Sequence, residues 1–146
     1  MKQNIVRIIR GQPGAGKSTF AHKMWPGVLL LENDMFHMHS NEYEFSGKRQ
    51  DQAINWCIDL ADLTVSKGAD VVIANTFTKR GYIECYERLA KLFGAGFEVY
   101  RMMGKWKNVH GLTDAMVENF TKSIQDWPGE KLVYPDESCE LGYKIV

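Results

Sequence analysis

The sequence predicts an α/β fold of three layers, with helices on both faces of a mostly parallel sheet, and three observations carry that prediction. Short, mostly apolar runs recur at 5–9, 28–31 and 71–74, the first of them rich in β-branched residues. Stretches with apolar residues at helical spacing stand between them. Residues 11–18, between the first run and the first helical stretch, read Gly-Gln-Pro-Gly-Ala-Gly-Lys-Ser, a G-x-x-x-x-G-K-S/T pattern. Continuous apolar runs mark strands covered on both faces, and alternation with helices implies parallel pairing.

Each element has its own justification. The run at 5–9 (Ile-Val-Arg-Ile-Ile) is the first strand, and residues 18–24 leave the glycine-rich loop as a helix. Pro26-Gly27 turns the chain into the second strand at 28–31. From 51 to 67, Ile54, Ile58, Ala61 and Val65 form a helical stripe, stopped by Gly68. Residues 71–74 are the third strand. Ile83, Tyr86, Leu89, Ala90 and Phe93 mark a helix ended by Gly94, and a strand follows at 97–102. Thr113-Asp114 reads as the N-cap and acidic first turn of a helix bearing Val117, Phe120 and Ile124, with Trp127-Pro128-Gly129 as its stop. Residues 132–134 and 143–146 are late strands.

Length and composition bound the function. A chain of 146 residues is read as one domain, 1–146. Lys plus Arg and Asp plus Glu number 18 each, so no net field draws in polyanions, which argues against an extended nucleic-acid surface but leaves room for a narrow channel. Three scattered cysteines, Cys57, Cys85 and Cys139, read as reduced thiols, the first two as buried packing residues of helices. No apolar run approaches the ~18 residues of a membrane span, so a cytoplasmic protein without a membrane partner is expected.

The loop points to a nucleotide. Gly11, Gln12, Pro13, Gly14, Ala15, Gly16, Lys17, Ser18 and Thr19 would cradle phosphates, because glycines let successive N–H groups turn inward and the following helix aims its positive end at the same anion. Lys17 would reach the β and γ oxygens and Ser18 would ligate Mg²⁺. Ligands of such sheets bind beyond the carboxyl ends of the strands. The second strand ends Glu32-Asn33-Asp34, where Asp34 either accepts a proton from an attacking hydroxyl or caps the next turn. The third ends Ala74-Asn75-Thr76 without a carboxylate, so Ser18, phosphates and water are expected to dominate a metal shell. Lys105 and Lys107 lie in a late loop suited to a lid of about residues 104–127. Phe36, Tyr43 and Phe45 are candidates to stack on a base. His22, His37 and His39 lack a third ligand at zinc spacing.

These ordered motifs resemble the small P-loop kinases that include the kinase domain of phage polynucleotide kinase and the P-loop domain of Nedd4-binding proteins, over about residues 4–130. The anchors are the loop through Thr19, Asn33-Asp34-Met35-Phe36, Tyr43-Glu44-Phe45, Ala53-Ile54-Asn55-Trp56-Cys57, Ala74-Asn75-Thr76 and Lys107-Asn108-Val109-His110-Gly111. The resemblance implies a P-loop NTPase fold with a short helical lid and transfer of the γ-phosphoryl group of ATP, with Mg²⁺, to a hydroxyl. It implies Asp34 as base, catalytic roles for Lys17, Lys105 and Lys107, and acceptor contacts from His37, Asn75 and Thr76. The expected acceptor is a nucleic-acid end or nucleoside-like molecule. Ala74, His37 and Lys107 stand where relatives commonly carry Asp, Arg and Arg. A small-metabolite kinase and a nucleotide-binding regulator without transfer are the alternatives.

Overall fold

The computed structural model describes residues 2–38, 47–103 and 114–146, without the side chains of 36–38, 47–49 and 117. Five parallel strands and one antiparallel edge strand form a sheet of order β2-β3-β1-β4-β5-β6. The strands are β1 (Ile5–Arg10), β2 (Leu29–Leu31), β3 (Val71–Asn75), β4 (Gly96–Met102), β5 (Lys131–Pro135) and β6 (Tyr143–Ile145). The helices are α1 (Lys17–Met24), α2 (Asn33–Met38), α3 (Gly47–Ser66), α4 (Arg80–Leu92) and α5 (Asp114–Ser123).

Alternation along the central strand sorts the core into two layers. Val6 and Ile8 face one side with Val71 and Ile73 of β3 and Val99 of β4, and there they meet Cys57, Ala61 and Val65 of α3 and Ile83, Tyr86, Leu89 and Ala90 of α4. Ile9, Val72, Ala74 and Tyr100 face the other side, under Phe20 and Ala21 of α1. Phe20 is fully buried and meets Trp25, Tyr100 and Tyr143 with ring centroids 5.7, 5.9 and 4.9 Å away. Burying such a ring contributes roughly 1.5–3 kcal/mol, which seats α1, and the loop before it, on the sheet.

The apolar runs at the start of the chain are strands, as their composition requires, and the late runs pair as β5 and β6. Three expectations need correction. α3 begins at Gly47 rather than 51. Cys85 is exposed, because it falls off the α4 stripe defined by Ile83, Tyr86, Leu89 and Ala90; Cys57 is buried as expected, and burial pushes its thiol up to about 12. The last helix ends at Ser123, before the Trp-Pro-Gly stop, because Gln125 leaves the helix to donate its N–H to the Thr78 carbonyl. The cap position Thr113 and the first part of the expected lid, 104–113, lie outside the described residues. Among the described residues no helix is long and apolar enough to cross a membrane.

Candidate functional site

The loop after β1 folds as its glycines dictate. Gly14 and Gly16 take φ of 78° and 74°, left-handed values that a side chain disfavours. Ala15 N–H closes the turn on the Gln12 carbonyl at 3.1 Å, and Gly16 stands as the N-cap of α1. The first helical bond runs from Phe20 N–H to the Gly16 carbonyl at 2.9 Å, so the amides of Lys17, Ser18 and Thr19 precede it at the positive end of the helix. The Lys17 ammonium donates to the carbonyls of Gly11 and Gln12 at 3.0 and 2.8 Å. Burial pushes its pKa down to about 8, against the pull of Glu32 and Asp34. A cation already desolvated beside a ring of amides is prepared for a phosphate.

Beyond the loop lies a cavity of about 700 Å³, lined by residues 13–19, Glu32, Asn33, Asp34, Gln50, Ala74, Asn75 and Thr76. It sits past the carboxyl ends of β1, β2 and β3, where sheets of this kind take ligands. The structure thus brings together Pro13 to Thr19, Asp34, Asn75 and Thr76. Gly11 and Gln12 contribute the carbonyls that hold Lys17. His37 falls in α2, with its side chain outside the description. Lys105, Lys107, His39, Glu42, Tyr43, Glu44 and Phe45 are outside the described residues altogether, as is the side chain of Phe36.

Glu32 is the residue whose role the sequence reading missed. The Ser18 hydroxyl donates a hydrogen bond to its carboxylate. Two hard oxygen donors therefore meet at the mouth of the loop, a set that suits Mg²⁺. β2 thus brings a carboxylate to the mouth of the loop, whereas β3, ending Ala74-Asn75, brings none. The available signal was a carboxylate directly following a buried strand.

Asn75 has a different task from a metal ligand. Its side-chain oxygen accepts from Asn33 N–H at 2.8 Å, and its amide donates to the Asn33 side-chain oxygen at 3.2 Å. This double tie fixes the start of α2, and with it the neighbouring Asp34, which is exposed to the cavity.

A second, smaller cavity of about 140 Å³ adjoins the first through Asn33, Gln50, Asn75 and Thr76. Its far walls are Ile54 and Ile58 of α3, Phe77, and Tyr82, Cys85 and Tyr86 of α4. Phe77 and Tyr86 meet edge to face with centroids 6.0 Å apart. The phosphate cleft thus opens onto an apolar, aromatic recess.

A phosphate-binding loop at the first strand of a parallel sheet defines a P-loop protein of the α/β class. The AAA domain family model matches residues 6–103, and the chain belongs to that family. An uncharacterized protein of Pasteurella multocida (strain Pm70) is 30% identical over 141 residues, covering 83% of this chain and 76% of that protein. Among solved structures, the APS kinase of Mycobacterium tuberculosis in complex with AMPPNP and APS superposes with a TM-score of 0.67 at 15% identity, over 94% of this chain and 91% of the other. A chain of a Pnkp1-containing RNA repair complex gives 0.61 at 14% identity, over 88% of this chain and 41% of the other. At these identities the likeness shows the fold, which is that of small P-loop kinases.

Proposed function

We propose that this chain transfers the γ-phosphoryl group of ATP to a hydroxyl on a polynucleotide 5′-end or nucleoside-like acceptor. The observation that carries the reading is the junction of two cavities: a phosphate cleft holding Lys17, Ser18, Glu32 and Asp34, and an aromatic recess opening from it through Asn33 and Asn75. The recess fits a flat, weakly polar ring better than a polyol, and an RNA repair complex and an APS kinase are among the proteins sharing the fold.

In this reading the loop amides and Lys17 hold the β- and γ-phosphates. Ser18 and Glu32 would hold Mg²⁺, which supplies charge neutralisation between the phosphates when bound. Asp34 accepts the proton of the attacking hydroxyl, and the Asn75–Asn33 tie keeps it in place. His37 and Thr76 contact the acceptor. Lys105 and Lys107 close the lid, residues 104–127, over a single domain spanning 1–146, in the cytoplasm. A small-metabolite kinase would share the cleft but would need polar groups where Ile54, Ile58 and Tyr86 stand. The carboxylate of Glu32 beside Ser18 favours transfer over a regulator that only binds nucleotide.

A screen with γ-labelled ATP across 5′-hydroxyl oligonucleotides, nucleosides and sugars tests the reading. Label should pass to an oligonucleotide or nucleoside, and Asp34→Asn should lower that transfer by roughly 10²–10⁴ while ATP still binds. Transfer to sugars alone selects the metabolite kinase. Binding without transfer to any acceptor selects the regulator.

A further inference from the structure

The last residue of β1, Arg10, is fully buried and takes no part in the phosphate cleft. Its guanidinium fork closes on the Phe77 carbonyl, with Nε at 3.1 Å and Nη2 at 2.6 Å. The third nitrogen, Nη1, meets Glu130 Oε2 at 3.1 Å. Phe77 has φ of 45°, the non-glycine residue with positive φ among those described, and the fork holds its carbonyl inward in that unfavourable state.

Both partners of Arg10 belong to larger units. Phe77 and Thr78 form a wall of the aromatic recess. Glu130 ends the segment 124–130 that leaves α5, the helical part of the proposed lid. That segment is fastened at further points to the same wall and to the neighbouring strand. Gln125 N–H donates to the Thr78 carbonyl at 2.7 Å, and the Gln125 side-chain oxygen accepts from Arg80 N–H at 2.9 Å. Arg101, beside Arg10 in the register of β4 on β1, meets Asp126 at 2.8 Å and Glu130 at 3.6 Å. The lid exit and the recess wall are thus stapled together across the end of the strand that launches the phosphate loop.

We propose that Arg10 is a positioning residue, which with Glu130 and Gln125 couples the lid exit to the wall of the acceptor recess. This rests on the phosphotransferase reading for its functional meaning, though the tie itself exists without any ligand. Moving the lid exit moves the Phe77–Thr78 wall, so lid placement and acceptor fit are set together. The clamp acts on the acceptor side, because Lys17 and the loop amides make their own bonds without it.

Hydrogen exchange on the ligand-free protein decides whether the tie is real. In Arg10→Lys and Glu130→Gln, amides of 76–80 and of 124–130 should both exchange faster by roughly tenfold, while those of 20–24 in α1 keep the wild-type rate. Gln125→Ala, at an exposed position, secures the test should the buried variants fail to fold: it removes the bond from Arg80 N–H and keeps the backbone bond to Thr78, so the same paired pattern should appear at smaller amplitude. Faster exchange confined to 124–130, or spread evenly over the molecule, overturns the proposal. With a 5′-hydroxyl oligonucleotide as acceptor, these variants should raise its KM about fivefold or more, while Kd for Mg·AMPPNP stays within about twofold, a split that loss of stability alone would not produce. Equal changes in both constants likewise overturn it. A wild type that transfers nothing counts against the phosphotransferase reading, and the exchange pattern then judges the clamp by itself.

Discussion

Glu32 follows β2 with no intervening residue, so the strand carries its carboxylate straight to the hydroxyl of Ser18 in the first turn of α1. A carboxylate and a hydroxyl side by side at the phosphate loop make a hard-oxygen site, and a ligand charge there is worth roughly 1.5–3 kcal/mol. Glu32→Gln keeps the shape and the acceptor for Ser18 but removes the charge. ATP binding measured with EDTA should be unchanged. In the presence of Mg²⁺, the metal concentration giving half-maximal effect should rise by about tenfold or more. An unchanged metal dependence would exclude a part for Glu32 in metal binding. Asn75 illustrates a quieter role at this scale: its side-chain amide bonds Asn33 at both the backbone N–H and the side-chain oxygen, which fixes the start of α2 and Asp34 within it.

At the scale of elements, the sheet is braced by a row of charges across three adjacent strands. Arg7 of β1 meets Glu98 of β4 at 3.1 Å, and Lys131 of β5 meets the other Glu98 oxygen at 2.7 Å. Arg7 also lies over the Trp25 ring, 4.8 Å from its centroid, at the end of α1. Partial burial works to raise the Glu98 pKa, but the hydrogen bond and charge of Lys131, with Arg7, outweigh it and hold the carboxyl below its ordinary value of 4.5. A carboxyl depressed on folding stabilises fully above its unfolded pKa and loses that contribution as pH falls through the folded value. Glu98→Gln should therefore cost roughly 0.5–1 kcal/mol at pH 7, because solvent screens the partly exposed pair. Urea denaturation should show the difference shrinking as the pH drops below about 4.5. A difference that stays constant down to pH 3 would show that the ion pair is not its source.

At the scale of the whole molecule, the parts legible in the sequence were those determined by local pattern. Buried parallel strands need apolar residues on both faces, so residues 5–9, 28–31 and 71–74 could be read as strands from composition. The loop was legible because its glycine spacing and the following Lys-Ser are tied to one backbone shape. What escaped depends on contacts between distant segments. The meeting of Glu32 with Ser18 follows from a sheet order that places β3 between β2 and β1, which no spacing reveals. The early end of α5 reflects bonds from Gln125 to Thr78 and Arg80, 47 and 45 positions away, that local helix signals do not carry. Arg10 in the core is of the same kind, since its partners Phe77 and Glu130 lie 67 and 120 positions along the chain. The aromatic recess likewise assembles from α3, α4 and the end of β3.

The central claim is that the loop between β1 and α1 is built to hold the phosphates of ATP, with Lys17 as its principal cation. Isothermal titration of Mg·ATP into the wild type and Lys17→Ala tests it most directly, because the lysine contacts loop carbonyls and not the core, and its loss should leave the fold intact. Saturable binding to the wild type is expected, with an affinity lower by about tenfold or more in the variant, as for the loss of one charge-assisted phosphate contact. Equal affinity in the two proteins, or no binding to either, would contradict it.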